Sequence, residues 1–324
     1  MEDKKDNKMK KLRFLELLYG ALDYYYKGNP KEAYDYLTNN QKRVEGSIAG
    51  ISYYRFLFAC EMKDKKLALE ILREAIDDFD FWFPYRSVSQ NEIRQLFAED
   101  ETYLRLIELC KTREAKRKFS GNPSIDVFEP KESSLENPKL LIALHGDQQE
   151  VNSVHDYWNP KTYFNHIVAI PVASEVAYTD GHAWTTIDRG VNELKTHYDQ
   201  LKSKYHVKKE NITLCSFSGG TAVALEAVVK KFIEVDKLIF VAPPLQNLEA
   251  LKNELIMLKE NNISVYILCG DGDDRFLPVA QKFAGYLKNV EVKYKLHIAE
   301  NTKHEYPINF EEILLDIKAF FKYK

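Results

Sequence analysis

Cysteine is scarce in this 324-residue chain: Cys60, Cys110, Cys215 and Cys269 lie far apart, each inside an apolar run. That placement suits free buried thiols in a reducing compartment and argues against a disulfide framework. No CxxC or HxxxH pair occurs, so no tetrahedral metal site is expected. No uninterrupted apolar run reaches about 18 residues, which excludes a membrane-spanning helix. An excess of one charge is missing too. Against 46 Lys plus Arg stand 49 Asp plus Glu, a formal charge of -3, which leaves no global field to hold a nucleic-acid backbone. The opening Met1-Glu2-Asp3-Lys4-Lys5 carries acidic residues where a secretory leader would be apolar, so the expected location is the cytoplasm.

What remains is an ordinary globular composition, 45% hydrophobic and 29% charged. At roughly 100 to 200 residues per domain, the length predicts two domains. From Leu12 to about Lys118 apolar residues recur at helical spacing and Gly and Pro are sparse, which predicts an all-helical domain over residues 1–118. Gly28 and Pro30 separate its first two helices, and Asp100 is the expected N-cap of its last. Tyr24, Gly28, Ala33 and Leu37 are matched 35 residues later by Ala59, Lys63, Ala68 and Leu72. This spacing resembles tetratricopeptide helix pairs, in which small residues let paired helices approach closely, and it implies a peptide or protein partner for the domain. The aromatic run from Phe79 to Tyr85 exceeds what one helix face buries. It is expected to pack on the second domain or to line that domain's entrance.

Residues 119–137 hold Gly121, Pro123 and Pro130 and read as a linker containing one edge strand, Ile125 to Phe128. Over residues 138–324 apolar β-rich runs alternate with amphipathic helices. Strands are expected at 140–144, 167–172, 212–215, 238–241, 264–268 and 290–297, with helices at 185–205, 218–232, 248–259, 277–287 and 308–321. Such alternation predicts an α/β fold, a doubly wound and mostly parallel sheet covered by helices on both faces. In such sheets ligands sit beyond the carboxyl ends of the strands, so the residues just after each strand are the ones to inspect.

Four strand ends carry chemistry. After 212–215 comes Ser216-Phe217-Ser218-Gly219-Gly220, a Gly-x-Ser-x-Gly elbow with Ser in place of the first Gly, leading into a helix. No Gly-Lys-Ser/Thr follows, so this is not a phosphate-binding P-loop. The strand ending at Leu144 delivers His145-Gly146-Asp147. The strand ending at Leu268 delivers Gly270-Asp271-Gly272-Asp273-Asp274, which departs from the calcium-loop pattern because Lys282 stands where that pattern needs Glu. The last strand precedes Lys303-His304-Glu305-Tyr306-Pro307, which puts a histidine in a loop before the final helix.

Together these motifs resemble the α/β-hydrolase superfamily over residues 138–324, in particular its phospholipase/carboxylesterase-like and dienelactone-hydrolase-like branch. The loop chemistry is also similar to that of prolyl-oligopeptidase-type peptidases. The resemblance implies Ser218 as nucleophile, His304 as general base and Asp273 as the orienting acid, with Asp274 as rival. It also implies oxyanion donors at the backbone N–H groups of Gly219 and Asp147, although an acidic side chain at 147 sits badly beside a developing anion. Trp184 and His145 are the expected substrate-binding side chains. The activity implied is that of a carboxylesterase-like serine hydrolase acting on a small acyl ester or thioester without cofactor or metal. A prolyl-oligopeptidase-like peptidase is one alternative. The other is a helical-repeat module that binds a peptide on a hydrolase scaffold.

Overall fold

The computed structural model of the protein describes residues 11–44, 48–130, 137–158, 166–246 and 248–322. The extreme N-terminus and residues 131–136 of the expected linker lie outside the described residues. Contacts divide the chain into two units, Met1–Lys118 with Ala177–Gly181, and Phe119–Val176 with His182–Lys324.

The first unit is helical: α1 (Phe14–Tyr26), α2 (Pro30–Asn40), α3 (Ala49–Glu61), α4 (Lys65–Arg73), α5 (Tyr85–Val88), α6 (Asn91–Phe97) and α7 (Glu101–Arg117). Helix α1 packs on α2, α2 on α3 and α3 on α4. The small residues Ala33 and Ala68, on α2 and α4, are fully buried in these pairs. Side-chain caps start two helices. Asp64 accepts from the Leu67 N–H at 3.0 Å, and Asp100 accepts from the Tyr103 N–H at 3.1 Å, the cap expected from sequence. Of the aromatic run, Trp82 and Phe83 are core residues. The Trp82 backbone N–H donates to Thr179 Oγ1 at 2.9 Å, and Tyr53 stacks on Tyr178 with ring centroids 5.8 Å apart.

The second unit holds a seven-stranded sheet of β1 (Ser124–Phe128), β2 (Lys139–Leu144), β3 (His166–Val172), β6 (Ile212–Phe217), β7 (Lys237–Val241), β8 (Ser264–Gly270) and β9 (Tyr294–Ala299). A separate two-stranded ribbon joins β4 (Val176–Tyr178) to β5 (Gly181–His182). The sheet order is β1-β3-β2-β6-β7-β8-β9. Every pairing is parallel except that of β1 on β3, where Asp126 faces Ile170. Strand β3 is buried along its whole length and β2 from Leu140 to Leu144, which is why these runs read as continuous Val, Ile and Leu instead of alternating. Helices α8 (Val151–Tyr157), α9 (Ile187–Tyr205), α10 (Gly220–Val229), α11 (Ile256–Glu260), α12 (Leu277–Asn289) and α13 (Phe310–Phe321) complete the unit.

Two expected elements differ. The helix expected over 248–259 is reduced to α11, with turns before it. Apolar spacing of three to four is met equally well by successive turns, so Leu248, Leu251 and Leu255 reach the core without a continuous helix. The strand expected from Val290 begins only at Tyr294, because the chain must first leave α12 through a turn with Glu291 at φ 56° and the Val292 N–H on the Leu287 carbonyl. The doubly wound order reverses at β2, whose neighbours β3 and β6 come from the two halves of the winding. Residues just beyond β2 and β6 therefore face a switch-point crevice.

Candidate active site

Strand β6 enters α10 through Ser218, which holds a positive φ of 44°. A non-glycine residue in that region is strained by about 1–2 kcal/mol, and here the surroundings fix it. The Ser218 N–H donates to the Val241 carbonyl at 2.9 Å, and its own carbonyl accepts from the Thr221 N–H at 2.8 Å. Gly220 has no alternative, since a Cβ there would lie 2.5 Å from the His145 carbonyl oxygen. Ser216, which replaces the first glycine of the motif, is accommodated because its hydroxyl pairs with Thr221 Oγ1 at 3.0 Å inside the core.

His304 reaches this elbow from the loop after β9. Its Nε2 lies 2.8 Å from Ser218 Oγ, and its Nδ1 lies 2.8 Å from Asp273 Oδ2. Asp273 is buried, and its Oδ1 accepts from the Phe276 N–H at 3.2 Å, so both carboxylate oxygens are engaged. Asp274 is exposed and makes no such bond. Geometry thus joins Ser218, His304 and Asp273 in one hydrogen-bonded chain and leaves the rival acid outside it. The two loops of the chain are tied together directly. Asp271 Oδ1 accepts from the Thr302 N–H at 3.2 Å, and the Gly272 N–H donates to the Thr302 carbonyl at 2.9 Å. A Cβ at Gly270 would come within 2.0 Å of that same carbonyl oxygen. Gly270→Ala is therefore expected to push the loops apart and lower the melting temperature, by about 1–3 kcal/mol of stability. An unchanged melt would mean that the two loops are not in van der Waals contact.

Sequence reasoning missed what steadies the histidine. Tyr306 stacks on Phe217 at 4.6 Å and on Tyr157 at 4.0 Å between ring centroids, and its hydroxyl accepts from Trp158 Nε1–H at 3.0 Å. The Phe217 ring also lies 5.4 Å from the His304 ring. Tyr306 belongs to the His-x-Tyr-Pro signal, whereas nothing in the sequence points to Tyr157 or Trp158.

The loop after β2 runs beneath the elbow, with Gly146 against Phe217 and Ser218. Here the expected substrate-binding side chains need correction: His145 is fully buried and Trp184 is 2% exposed, so neither presents surface to a substrate. They build the loop instead. Trp184 stacks on His145 at 4.8 Å, donates its Nε1–H to the His145 carbonyl at 3.0 Å and donates its backbone N–H to Asp147 Oδ1 at 2.7 Å. Gln149 Oε1 accepts from the Gly146 N–H at 2.7 Å, another support that the sequence did not signal. Among the described residues, the backbone N–H groups of Gly219 and Asp147 make no hydrogen bond.

His145 is held neutral. Nδ1–H donates to the Gly146 carbonyl at 2.7 Å, Nε2 accepts from the Ala173 N–H at 3.1 Å, and burial pushes its pKa down to about 3. The unfolded chain takes up this proton near pH 6.5 while the folded one does not. The contribution of His145 to stability is therefore complete above about pH 6.5 and is lost as pH falls toward 3. His145→Gln, which keeps a donor and an acceptor but does not titrate, is expected to give a shallower fall in melting temperature between about pH 7 and about pH 5. Parallel curves for the two proteins would contradict this.

Residues 13–118 match a family model described as the A/B hydrolase-like, N-terminal domain. None of the curated proteins matches the chain. Among solved structures, an uncharacterized protein from Bacillus cereus ATCC 10987 is 28% identical, with 96% of this chain and 100% of that one covered and a TM-score of 0.55. Esterase PE8 is 16% identical at a TM-score of 0.52, covering 61% of this chain and 99% of its own. Est1E from Butyrivibrio proteoclasticus, solved with ferulic acid bound, is 15% identical at a TM-score of 0.50, covering 62% of this chain and 94% of its own. The fold is that of the esterase-type α/β hydrolases.

Proposed function

We propose that the protein is a serine hydrolase that cleaves a small acyl ester or thioester through an acyl-enzyme on Ser218. The observation that carries this reading is the hydrogen-bonded chain from Ser218 Oγ through the His304 ring to Asp273, with 2.8 Å at both links. Nδ1–H of His304 donates to Asp273, which leaves Nε2 as a lone-pair acceptor facing the serine hydroxyl. Ser218 Oγ attacks the acyl carbon while its proton passes to Nε2, and the carbonyl electron pair moves onto oxygen. The two uncommitted N–H groups, of Gly219 and Asp147, are the donors for that oxyanion. Collapse expels the alkoxide or thiolate, which takes the proton from His304. Water then repeats the sequence to release the acid.

Labelling with a fluorophosphonate, with mapping of the modified residue, tests the nucleophile. Turnover of p-nitrophenyl esters of rising chain length, beside anilides of the same acids, separates esterase from peptidase. Label on Ser218 with ester turnover is the expected result. Protein that neither labels nor turns over any ester would overturn the proposal and favour a binding role.

A further inference from the structure

The acidic side chain beside the oxyanion donors has an arrangement of its own. A Cβ built on Gly219 would lie 2.2 Å from Asp147 Oδ2, 2.3 Å from Cγ and 2.5 Å from Oδ1. The carboxyl group thus lies flat against the bare Cα of Gly219, whose N–H is one of the proposed oxyanion donors, and only glycine leaves room for it. Its orientation is fixed from the other side, because Oδ1 accepts the Trp184 backbone N–H at 2.7 Å. Oδ2 receives no hydrogen bond among the described residues.

Among the described residues, two titratable groups act on Asp147. The Glu175 carboxylate is buried and held by the Thr185 hydroxyl and, at 2.9 Å, by the Thr186 N–H, and it opposes a second negative charge nearby. His304, across the nucleophile, favours that charge only when it is itself a cation. Among the described residues, no lysine or arginine is among the groups that act on Asp147. Asp147 is open to solvent on one side and ringed by protein on the others. That surrounding protein mass, followed by the Glu175 charge, outweighs the Trp184 N–H and His304, so its pKa is raised from the ordinary value. An ionised carboxylate at this position would repel the oxyanion that its neighbours are set to receive.

Resting on the serine-hydrolase reading, we propose that Asp147 works as a protonated acid whose Oδ2–H donates a hydrogen bond to the substrate carbonyl oxygen as that oxygen takes up charge. The reaction then has three donors: two backbone N–H groups and one carboxylic O–H. In the first step the Ser218 Oγ–C bond forms, the serine proton goes to His304 Nε2 and the carbonyl π pair moves to oxygen, where the Asp147 hydrogen bond tightens. When the C=O re-forms, the bond to the leaving group breaks, the leaving group takes the proton from His304, and Asp147 keeps its own. The competent enzyme therefore carries a proton on Asp147 and none on His304.

That requirement fixes the shape of the pH profile. For the wild-type protein, kcat/KM on p-nitrophenyl acetate is expected to fall on the alkaline side as Asp147 loses its proton. Asp147→Asn presents an amide N–H at the same place and does not titrate, so its profile should lose that alkaline fall. Asp147→Ala, with no donor, should lose about 10²-fold at the wild-type optimum, a larger loss than Asp147→Asn. Circular dichroism at each pH shows which points belong to folded protein. A wild-type profile without an alkaline fall, an Asp147→Asn profile that keeps the fall, or an Asp147→Ala protein as fast as wild type would each overturn the role of Asp147. Fluorophosphonate label on Ser218 in the same samples would leave the serine-hydrolase reading standing in those cases. Its absence, with no turnover, overturns both.

Discussion

Ser218→Ala is expected to lower kcat/KM on an activated ester by about 10⁴- to 10⁶-fold while leaving the melting temperature nearly unchanged. The hydroxyl's hydrogen-bond partner is the His304 ring, and alanine tolerates the elbow's φ of 44° no worse than serine does, so the loss is chemical and not structural. His304→Ala should cost a comparable factor, because a serine without its base is a poor nucleophile. The double variant should lose little more than either single one, since the residues act as a unit. Losses that multiply would mean that serine and histidine contribute independently. Unaltered turnover by purified Ser218→Ala would remove the nucleophile from the mechanism.

Asp273→Asn is expected to reduce turnover by up to about 10⁴-fold, whereas Asp274→Asn should leave it within a few-fold of wild type. The buried Asp273 fixes the proton on His304 Nδ1 through a 2.8 Å bond, and an amide at that position presents an N–H that favours the opposite tautomer. Asp274 is exposed, and among the described residues no hydrogen bond joins it to His304 or Ser218. Kinetics on both variants, with fluorophosphonate labelling rates as a second readout, decide between the acids. A larger loss from Asp274→Asn would overturn the pairing drawn from geometry.

The sheet was legible because its strands are buried on both faces, which leaves unbroken runs such as Leu140–Leu144 and Ile167–Val172. The candidate chain was legible for a related reason. Parallel winding delivers strand ends to one edge, so Ser218, Asp273 and His304 stand out by position even where each motif is short. Orientation was not legible. His145 and Trp184 have the residue types of a binding pocket, yet their hydrogen bonds to Ala173, Gly146 and Asp147 turn them inward, and no spacing rule reports which way a loop side chain faces. The ribbon β4–β5 escaped notice because strands of three and two residues are too short for an alternation to show. Gln149 and Tyr157 act on backbone or ring neighbours that only the folded chain supplies.

The parallel seating of β9 on β8 also has a bearing on how the protein reaches its native state. That pairing, Val265 with Tyr294 through Gly270 with Ala299, is the last added to the sheet in chain order, and the histidine loop hangs from its far end. Ser218 and His304 are separated by 86 positions, and parallel pairing cannot be made by a local hairpin, so the elbow meets its proposed base only through long-range pairing. A polypeptide that ends before β9 has Ser218 but not His304. On the proposed mechanism, acyl transfer requires β9 to be seated on β8, because the histidine loop hangs from that strand.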